Sequence, residues 1–217
     1  MKSLSILIPI YNEEESLQAL FDELKFSFEN NQSIEIIFIN DGSSDMSQKV
    51  IENEIANHST WKLINLYRNY GKSVALQSGI NIASNELIAT LDGDLQDDPK
   101  ELINLVRELN EDDVIVGWKK DRLDPVEKKI ASKIFNFFIK LFSGLKIKDS
   151  NSGIKVLKKE VAKSLNLYGG RHRYIPLLAH QKGFNVKEIP VNHRERKFGK
   201  SKYGAERYKH GFFDFMT

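Results

Sequence analysis

Residues 86–99 read ELIATLDGDLQDDP. Six residues of strand length and apolar character, Glu86–Leu91, run into an acidic loop, Asp92-Gly93-Asp94-Leu95-Gln96-Asp97-Asp98, and Pro99 stands where a helix opens. The same unit recurs upstream. Leu4–Ile10 leads into Tyr11-Asn12-Glu13 and a helix over Glu14–Phe28, with Leu17, Leu20, Phe21, Leu24 and Phe28 on one face. Ile34–Asn40 (IEIIFIN) leads into Asp41-Gly42-Ser43-Ser44-Asp45 and a helix over Met46–Asn57. Trp61–Tyr67 leads into Arg68-Asn69-Tyr70-Gly71 and a helix over Lys72–Ala83. Alternation of this kind predicts a mostly parallel central sheet with helices on both faces, an α/β fold in a single domain.

Beyond Pro99–Leu109, a helix, and Asp113–Val116, a short strand, the pattern loosens. Lys119–Lys129 reads as a charged loop and Ile130–Phe142 as a very apolar helix. Asp149–Leu157 and Phe184–Val191 read as strands, and Arg171–Lys182 as a helix. No internal repeat or flexible linker divides the chain. The expected organisation is one domain over 1–217, with a ligand-binding half (1–117), a second half on the same sheet (118–204) and an amphipathic tail (205–217).

Composition narrows the function classes. The 217 residues hold no cysteine, which excludes a disulfide framework, a thiolate metal site and a Cys nucleophile. A formal net charge of +2 argues against a global surface for nucleic acid. No apolar stretch approaches the roughly 18 residues of a spanning helix. Gly71-Lys72-Ser73 resembles the end of a phosphate-binding loop, but the first glycine of that motif falls on Leu66.

In open α/β sheets ligands bind beyond the carboxyl ends of the strands. Asp92 and Asp94, one residue apart at a strand end, suit a divalent cation that takes oxygen ligands and leaves room for phosphates; a solvated acidic turn is the plainer alternative. Gly93 between them is expected to let the backbone bend sharply. Asp97 and Asp98 fit a helix-capping role, as does Asp45. Asp41 fits contact with a base or ribose, or an Asx-turn. Lys72 fits a phosphate contact, or an exposed first-turn lysine.

The series IPIYNEEESL (8–17), FINDGSSD (38–45), RNYGKSVALQSGI (68–80) and LDGDLQDDP (91–99) resembles the inverting family 2 glycosyltransferases, and in particular the polyprenyl-phosphate sugar transferases of the dolichol-phosphate mannose synthase type. DSNSGIKV (149–156), RHRYIPLL (171–178) and HRERKFGKSKYG (193–204) continue the resemblance along nearly the whole chain. It implies a GT-A nucleotide-sugar-binding fold. Pro9, Tyr11, Glu13, Asp41, Lys72 and Asp92 would then hold the nucleotide-sugar, and Asp92, Asp94 and Gln96 an Mg2+ or Mn2+ ion. Where the family uses arginines on phosphate, this sequence carries Lys119 and Lys128, which keep the charge and lose the bidentate fork. Ser132, Arg196, Ser201 and Lys202 complete the implied phosphate and acceptor set.

The implied reaction is metal-dependent, inverting transfer of a sugar from a UDP- or GDP-linked donor to a polyprenyl phosphate. Asp94 and Gln96 would act at the reacting diphosphate. A hydroxyl acceptor would need a carboxylate base, for which Asp149 is the candidate, with a loop cap as its alternative. A non-catalytic nucleotide-sugar-binding module and a nucleotidyltransferase are the competing classes, the second lacking its usual Gly-rich first loop. Residues 194–209 hold seven Lys and Arg against two Glu and precede GFFDFM, which suits an anionic membrane surface or a solvated basic tail. Helix 130–142 is read as a core helix or a bilayer-dipping surface. The resemblance places the chain on the cytoplasmic side of a membrane, peripheral as it stands, with spanning helices commonly following this point in the family. Self-association into a homo-oligomer is left open.

Overall fold

The computed structural model describes residues 2–28, 31–120 and 144–195. Four parallel strands build the first part of one sheet: β1 (Leu4–Ile10), β2 (Ile34–Asn40), β3 (Trp61–Asn65) and β4 (Leu87–Thr90). Between them lie helices α1 (Glu14–Phe28), α2 (Ser47–Ile55) and α3 (Lys72–Ile82). Then follow α4 (Glu101–Glu108), β5 (Val114–Lys119), β6 (Lys155–Lys158), α5 (Lys159–Ser164), a 3-10 turn (Arg171–Tyr174), α6 (Ile175–Gln181) and β7 (Val186–Val191).

The sheet runs in the order β3-β2-β1-β4-β6-β5-β7. Among the described strands only β6 is antiparallel to its neighbours, β4 and β5. The fold is therefore α/β with a mostly parallel sheet, as expected. β6, from the later part of the chain, is inserted between two strands of the earlier part, and β5 spans the boundary expected at 117. The two halves thus share one hydrogen-bonded sheet.

Strand alternation sends side chains to both faces. On one face Ile6, Ile8 and Ile10 of β1 pack with Leu17, Phe21 and Leu24 of α1 and Leu102 and Leu105 of α4. On the other, Leu7, Ile37 and Ile39 pack with Ala75, Leu76 and Ile80 of α3, Val161 of α5 and Ile175 of α6. Helices on both faces leave the strands buried on both sides, which is why β2 is apolar throughout apart from Glu35 and Asn40.

Three expectations need correction, and one helix was not expected. Residues 149–154 are not strand: β6 begins at Lys155, because the preceding loop folds over the end of β4, where the Thr90 hydroxyl donates to the Gly153 carbonyl at 2.7 Å. α5, six residues long, has no counterpart in the sequence reading, since it is too short for a helical period to declare itself. The helix expected over Arg171–Lys182 divides into the 3-10 turn and α6, with Pro176 in the first turn of α6. β5 extends past Val116 to Lys119, because β7 pairs with it as far as Val191. The helix expected over 130–142 and the tail 205–217 lie outside the described residues, as do Lys128, Ser132, Arg196, Ser201 and Lys202.

Candidate active site

The loops that follow β1, β2, β3 and β4 meet at one edge of the sheet. The turn after β1 is laced to the turn after β2. Asn12, in the left-handed region at φ 52°, accepts from the Ser44 amide at 2.7 Å, and its own amide donates to Ser43 Oγ at 3.0 Å. The Glu13 amide donates to Ser47 Oγ at 2.9 Å. Asp45 accepts from the Ser47 and Glu14 amides, so it tethers the starts of α2 and α1 together. Pro9 and Glu13 are half-buried here and Tyr11 stands at the surface.

Gly42 fastens the next loop. At φ +67° its α-carbon abuts the Arg68 backbone, and a Cβ there would fall 2.3 Å from the Arg68 carbonyl carbon. Asp41 is buried, and both carboxylate oxygens accept backbone amides, Tyr70 at 2.8 Å and Gly71 at 2.9 Å. Burial pushes its carboxyl up, against the opposing pull of those two amides. Asp41 therefore holds the loop after β3 in place at the mouth of the site.

Below these loops lies a charge cluster. The Lys72 ammonium, at the start of α3, donates to Asp92 Oδ1. Lys119 Nζ stands 2.7 Å from Asp97 Oδ1, a pair with side chains 9% and 1% exposed. Lys155, only 3% exposed, donates to the Ser152 carbonyl. Desolvation would raise the Asp92 carboxyl, but Lys72, Lys119 and Lys155 outweigh it and hold that carboxyl well below the usual range. Burial and the nearby Lys72 charge push the Lys155 ammonium down to about 7, against the attraction of Asp92 and Asp149. For Lys119 burial is outweighed by Asp97, Asp92 and Asp149, and its pKa rises.

Gly153 seals this cluster. A Cβ at Gly153 would lie 2.6 Å from Asp92 Oδ2 and 2.9 Å from Asp97 Oδ2. The loop 149–154 thus lies directly on the first carboxylate of the acidic motif. Asp149 is 1% exposed, and its amide donates to Glu188 Oε1 at 2.7 Å. Burial raises the Glu188 carboxyl, with the Lys148 and Asp149 amides opposing it.

The acidic motif itself is an Asx turn. The Gln96 amide donates to Asp94 Oδ1 at 3.2 Å, and Leu95 between them is held at φ 61°, a strained conformation for a leucine. Gly93 is not at a positive φ; its lack of a side chain is used for packing, since a Cβ would lie 2.5 Å from Ile10 Cδ1. Asp97 does not cap α4. It is spent on Lys119, and Asp98 takes the helix-start role by accepting from the Lys100 amide. Lys119 accordingly has a buried carboxylate partner, in place of the open phosphate contact implied for it. The chain returns to this turn after β7: the Arg194 amide donates to the Gln96 carbonyl, and its guanidinium grips Glu23 at 2.8 Å and Asp98.

Lys155, Glu188, Arg194 and the buried pair Ser73–His172 (Ser73 Oγ to His172 Nδ1, 2.9 Å) were missed in the sequence reading. A lysine in the apolar run GIKVL was the one available signal for Lys155. Among the described residues no three His, Asp or Glu stand together as a metal chelate. The oxygens of Asp94 and Gln96 on one turn, beside Asp92, make a hard, incomplete donor set, which fits Mg2+ or Mn2+ completed by phosphate.

A dodecaprenyl-phosphate galacturonate synthase from Rhizobium johnstonii is 34% identical over 99% of this chain and 65% of its own length. An undecaprenyl-phosphate 4-deoxy-4-formamido-L-arabinose transferase from Yersinia pestis is 36% identical over 100% of this chain and 67% of its own. The chain thus spans about two thirds of the length of these curated relatives. A Pyrobaculum calidifontis mannosyltransferase solved with GDP-Man and Mn2+ has the same fold, with a TM-score of 0.73 at 15% identity, over 100% of this chain and 65% of the other. The glucosyl-3-phosphoglycerate synthase of Mycobacterium tuberculosis, solved with Mn2+, UDP-glucose and glycerol 3-phosphate, superposes with a TM-score of 0.67 at 16% identity, over 90% and 73%. Residues 5–165 match the model of glycosyl transferase family 2, and the chain belongs to that family.

Proposed function

We propose that this domain transfers a sugar from a UDP- or GDP-linked donor to a polyprenyl phosphate, with inversion, at the cytoplasmic face of a membrane. The observation that carries the acceptor is the identity of 34–36% across the whole chain to two polyprenyl-phosphate sugar transferases. The metal site supports donor chemistry of the same kind. Pro9, Tyr11, Glu13 and the Asp41-anchored loop frame the nucleoside, and Lys72 approaches the diphosphate from the start of α3.

Oxygens of Asp92, Asp94 and Gln96 are the set that would hold Mg2+ or Mn2+, and the ion supplies charge neutralisation of the departing nucleoside diphosphate. The bond that breaks joins the anomeric carbon to the diphosphate oxygen. The bond that forms joins that carbon to the acceptor phosphate oxygen on the opposite face. A phosphate monoester is already ionised near neutral pH, so no protein base has to remove a proton. This suits a site in which Asp149 is 1% exposed and enclosed by lysine charge. A hydroxyl acceptor would require that carboxylate to reach it.

Arg194 is pinned beside the acidic turn, its amide on the Gln96 carbonyl and its guanidinium on Glu23. The polybasic stretch that begins with Arg194 is the segment that would meet anionic lipid and acceptor phosphate together. No described helix is long and apolar enough to cross a membrane.

The test is incubation of the protein with Mn2+, undecaprenyl phosphate and radiolabelled UDP- and GDP-sugars. Label is expected in the organic phase, in a product cleaved by mild acid and dependent on metal. Label confined to the aqueous phase overturns the acceptor assignment. Absence of both transfer and donor hydrolysis points instead to a binding module.

A further inference from the structure

The two faces of the sheet differ in charge. Helices α1, α2 and α4, over one face, carry eight Asp and Glu against three Lys and Arg. Over the other, α3, α5, the 3-10 turn and α6 carry one Glu against five Lys and Arg. The sequence shows this division as two acid-free runs. No Asp or Glu stands between Glu54 and Glu86, or between Glu160 and Glu188, in a chain that holds 30 of them. These runs meet in space. The His172 amide donates to Ser73 Oγ at 3.0 Å and the Leu167 amide to Gln77 Oε1 at 2.8 Å, so residues 167–172 lie along the first turns of α3.

Two arginine–tyrosine stacks stand at this junction. Arg68 lies over the Tyr70 ring at 5.0 Å, just before α3, and Arg171 over the Tyr168 ring at 4.0 Å, in the segment alongside it. Among the described residues neither guanidinium has a carboxylate partner. Tyr67 is fully exposed, and Tyr70 and Tyr168 are nearly half exposed. A single exposed tyrosine needs no explanation, but three of them beside two unpaired arginines, in acid-free surroundings, form a patch.

We propose that this patch is the surface by which the domain lies against an anionic lipid bilayer, with the tyrosines at headgroup level and the two guanidiniums on lipid phosphates. This rests on the lipid-acceptor reading above and adds to it the side of the molecule that meets the membrane. A tyrosine ring has an apolar body and a polar tip, and such rings collect at the membrane–water interface. A guanidinium stacked on a ring keeps its in-plane donors for phosphate oxygens. The negative potential of a bilayer acts on a whole face, and here a whole face is nearly free of acid. The same potential repels the α1, α2 and α4 face, so the charge division selects one orientation. That orientation brings the loop after β3, at the mouth of the site, to the level where an acceptor phosphate would stand.

The lack of cysteine lets single sites be labelled in the 217-residue chain. A nitroxide is attached to Tyr67→Cys, to Tyr168→Cys and, on α2 of the other face, to Asn53→Cys. Each protein is mixed with vesicles of phosphatidylglycerol and phosphatidylcholine, and collision with a water-soluble nickel chelate is read by EPR. The labels at 67 and 168 are expected to become about threefold or more shielded on the vesicles, as for groups seated in the headgroup layer, while the label at 53 stays open. Arg68→Gln with Arg171→Gln should weaken vesicle binding about thirtyfold, whereas Lys49→Gln with Arg107→Gln, on the other face, should leave it within about twofold.

Labels at 67 and 168 that stay as open to nickel as the label at 53 overturn the proposal, because another part of the chain then makes the contact. Equal loss of binding from the two pairs of charge substitutions overturns it as well. Failure of the unmutated chain to bind the vesicles overturns it too, and retention on heparin that Arg68→Gln with Arg171→Gln abolishes would then assign the patch to a soluble polyanion. Transfer to undecaprenyl phosphate is assayed in parallel. Shielded labels without transfer uphold the patch and remove the acceptor reading, whereas transfer with unshielded labels removes the patch alone.

Discussion

Lys155 enters β6 at the level of Thr90 and Val116, between the only strands that pair with it, and is 3% exposed. Its pKa falls from 10.5 to about 7, a difference worth about 5 kcal/mol between the charged and neutral forms. Below pH 7 the folded and unfolded chains both hold the proton, and the group adds no pH dependence. Between pH 7 and 10.5 the unfolded chain keeps the proton while the folded chain releases it. Stability therefore rises with pH across that window, by about 1.4 kcal/mol per unit, and is lost again as pH falls to 7. Urea unfolding of the unmutated protein and of Lys155→Met, measured from pH 6 to pH 9, should give two curves whose difference is flat below pH 7. Above it, the difference should grow by about 3 kcal/mol at pH 9 in favour of the unmutated chain. Lys155→Arg stays charged throughout and should also lack the slope. Parallel profiles for all three proteins would refute the reasoning, because they would mean that the β6 ammonium is solvated in the folded state.

Three further outcomes follow from contacts in the same region. Gly153→Ala places a methyl group 2.6 Å from Asp92 Oδ2, so it should lower the urea midpoint by an overpacking cost of about 1–3 kcal/mol; unchanged stability would show that the loop over β4 shifts freely. Lys119→Met leaves Asp97 buried without its partner and should cost about 3–5 kcal/mol, much of which Lys119→Met combined with Asp97→Leu should restore in a double-mutant cycle. Gly42→Ala combines a left-handed backbone, costing about 1–2 kcal/mol, with a clash against the Arg68 backbone that no side-chain rotation relieves; thermal unfolding should show a loss beyond the conformational cost alone.

Much of the fold was legible because β1, β2 and β4 are buried on both faces and read as largely apolar runs, while β3, at the end of the strand order, is only partly buried. Leu4–Ile10 and Ile34–Asn40 were placed to the residue for that reason, and Glu14–Phe28 by the helical spacing of its apolar residues. The acidic and amide-rich loops were legible too, since a parallel sheet collects its strand ends on one edge. What the sequence hid lies where the chain stops obeying local periodicity. Residues 149–154 run into the apolar strand β6 and look like part of it, yet their conformation is set by the long-range partners Thr90 and the Asp92 carboxylate, and locally by Lys155 donating to the Ser152 carbonyl. No local pattern encodes an antiparallel strand slipped between β4 and β5.

The same insertion explains why the roles of the charged residues were harder to read than their presence. Asp97, at the mouth of a helix, carries every local mark of a cap. It becomes the partner of Lys119 because β5 runs three residues beyond its apolar core to keep its pairing with β7, and so delivers that lysine beneath the acidic loop. Lys155 arrives from the other side on β6, and Lys72 from the start of α3. Two of these lysines pair with carboxylates of one loop, Lys72 with Asp92 and Lys119 with Asp97, while Lys155 donates to the Ser152 carbonyl beside it. Asp94 lies on the rim of that arrangement, in the Asx turn with Gln96, while Asp92 and Asp97 are drawn into it. A motif of two aspartates one residue apart is symmetric in sequence, and it is the crossover of β6 that makes the two unequal.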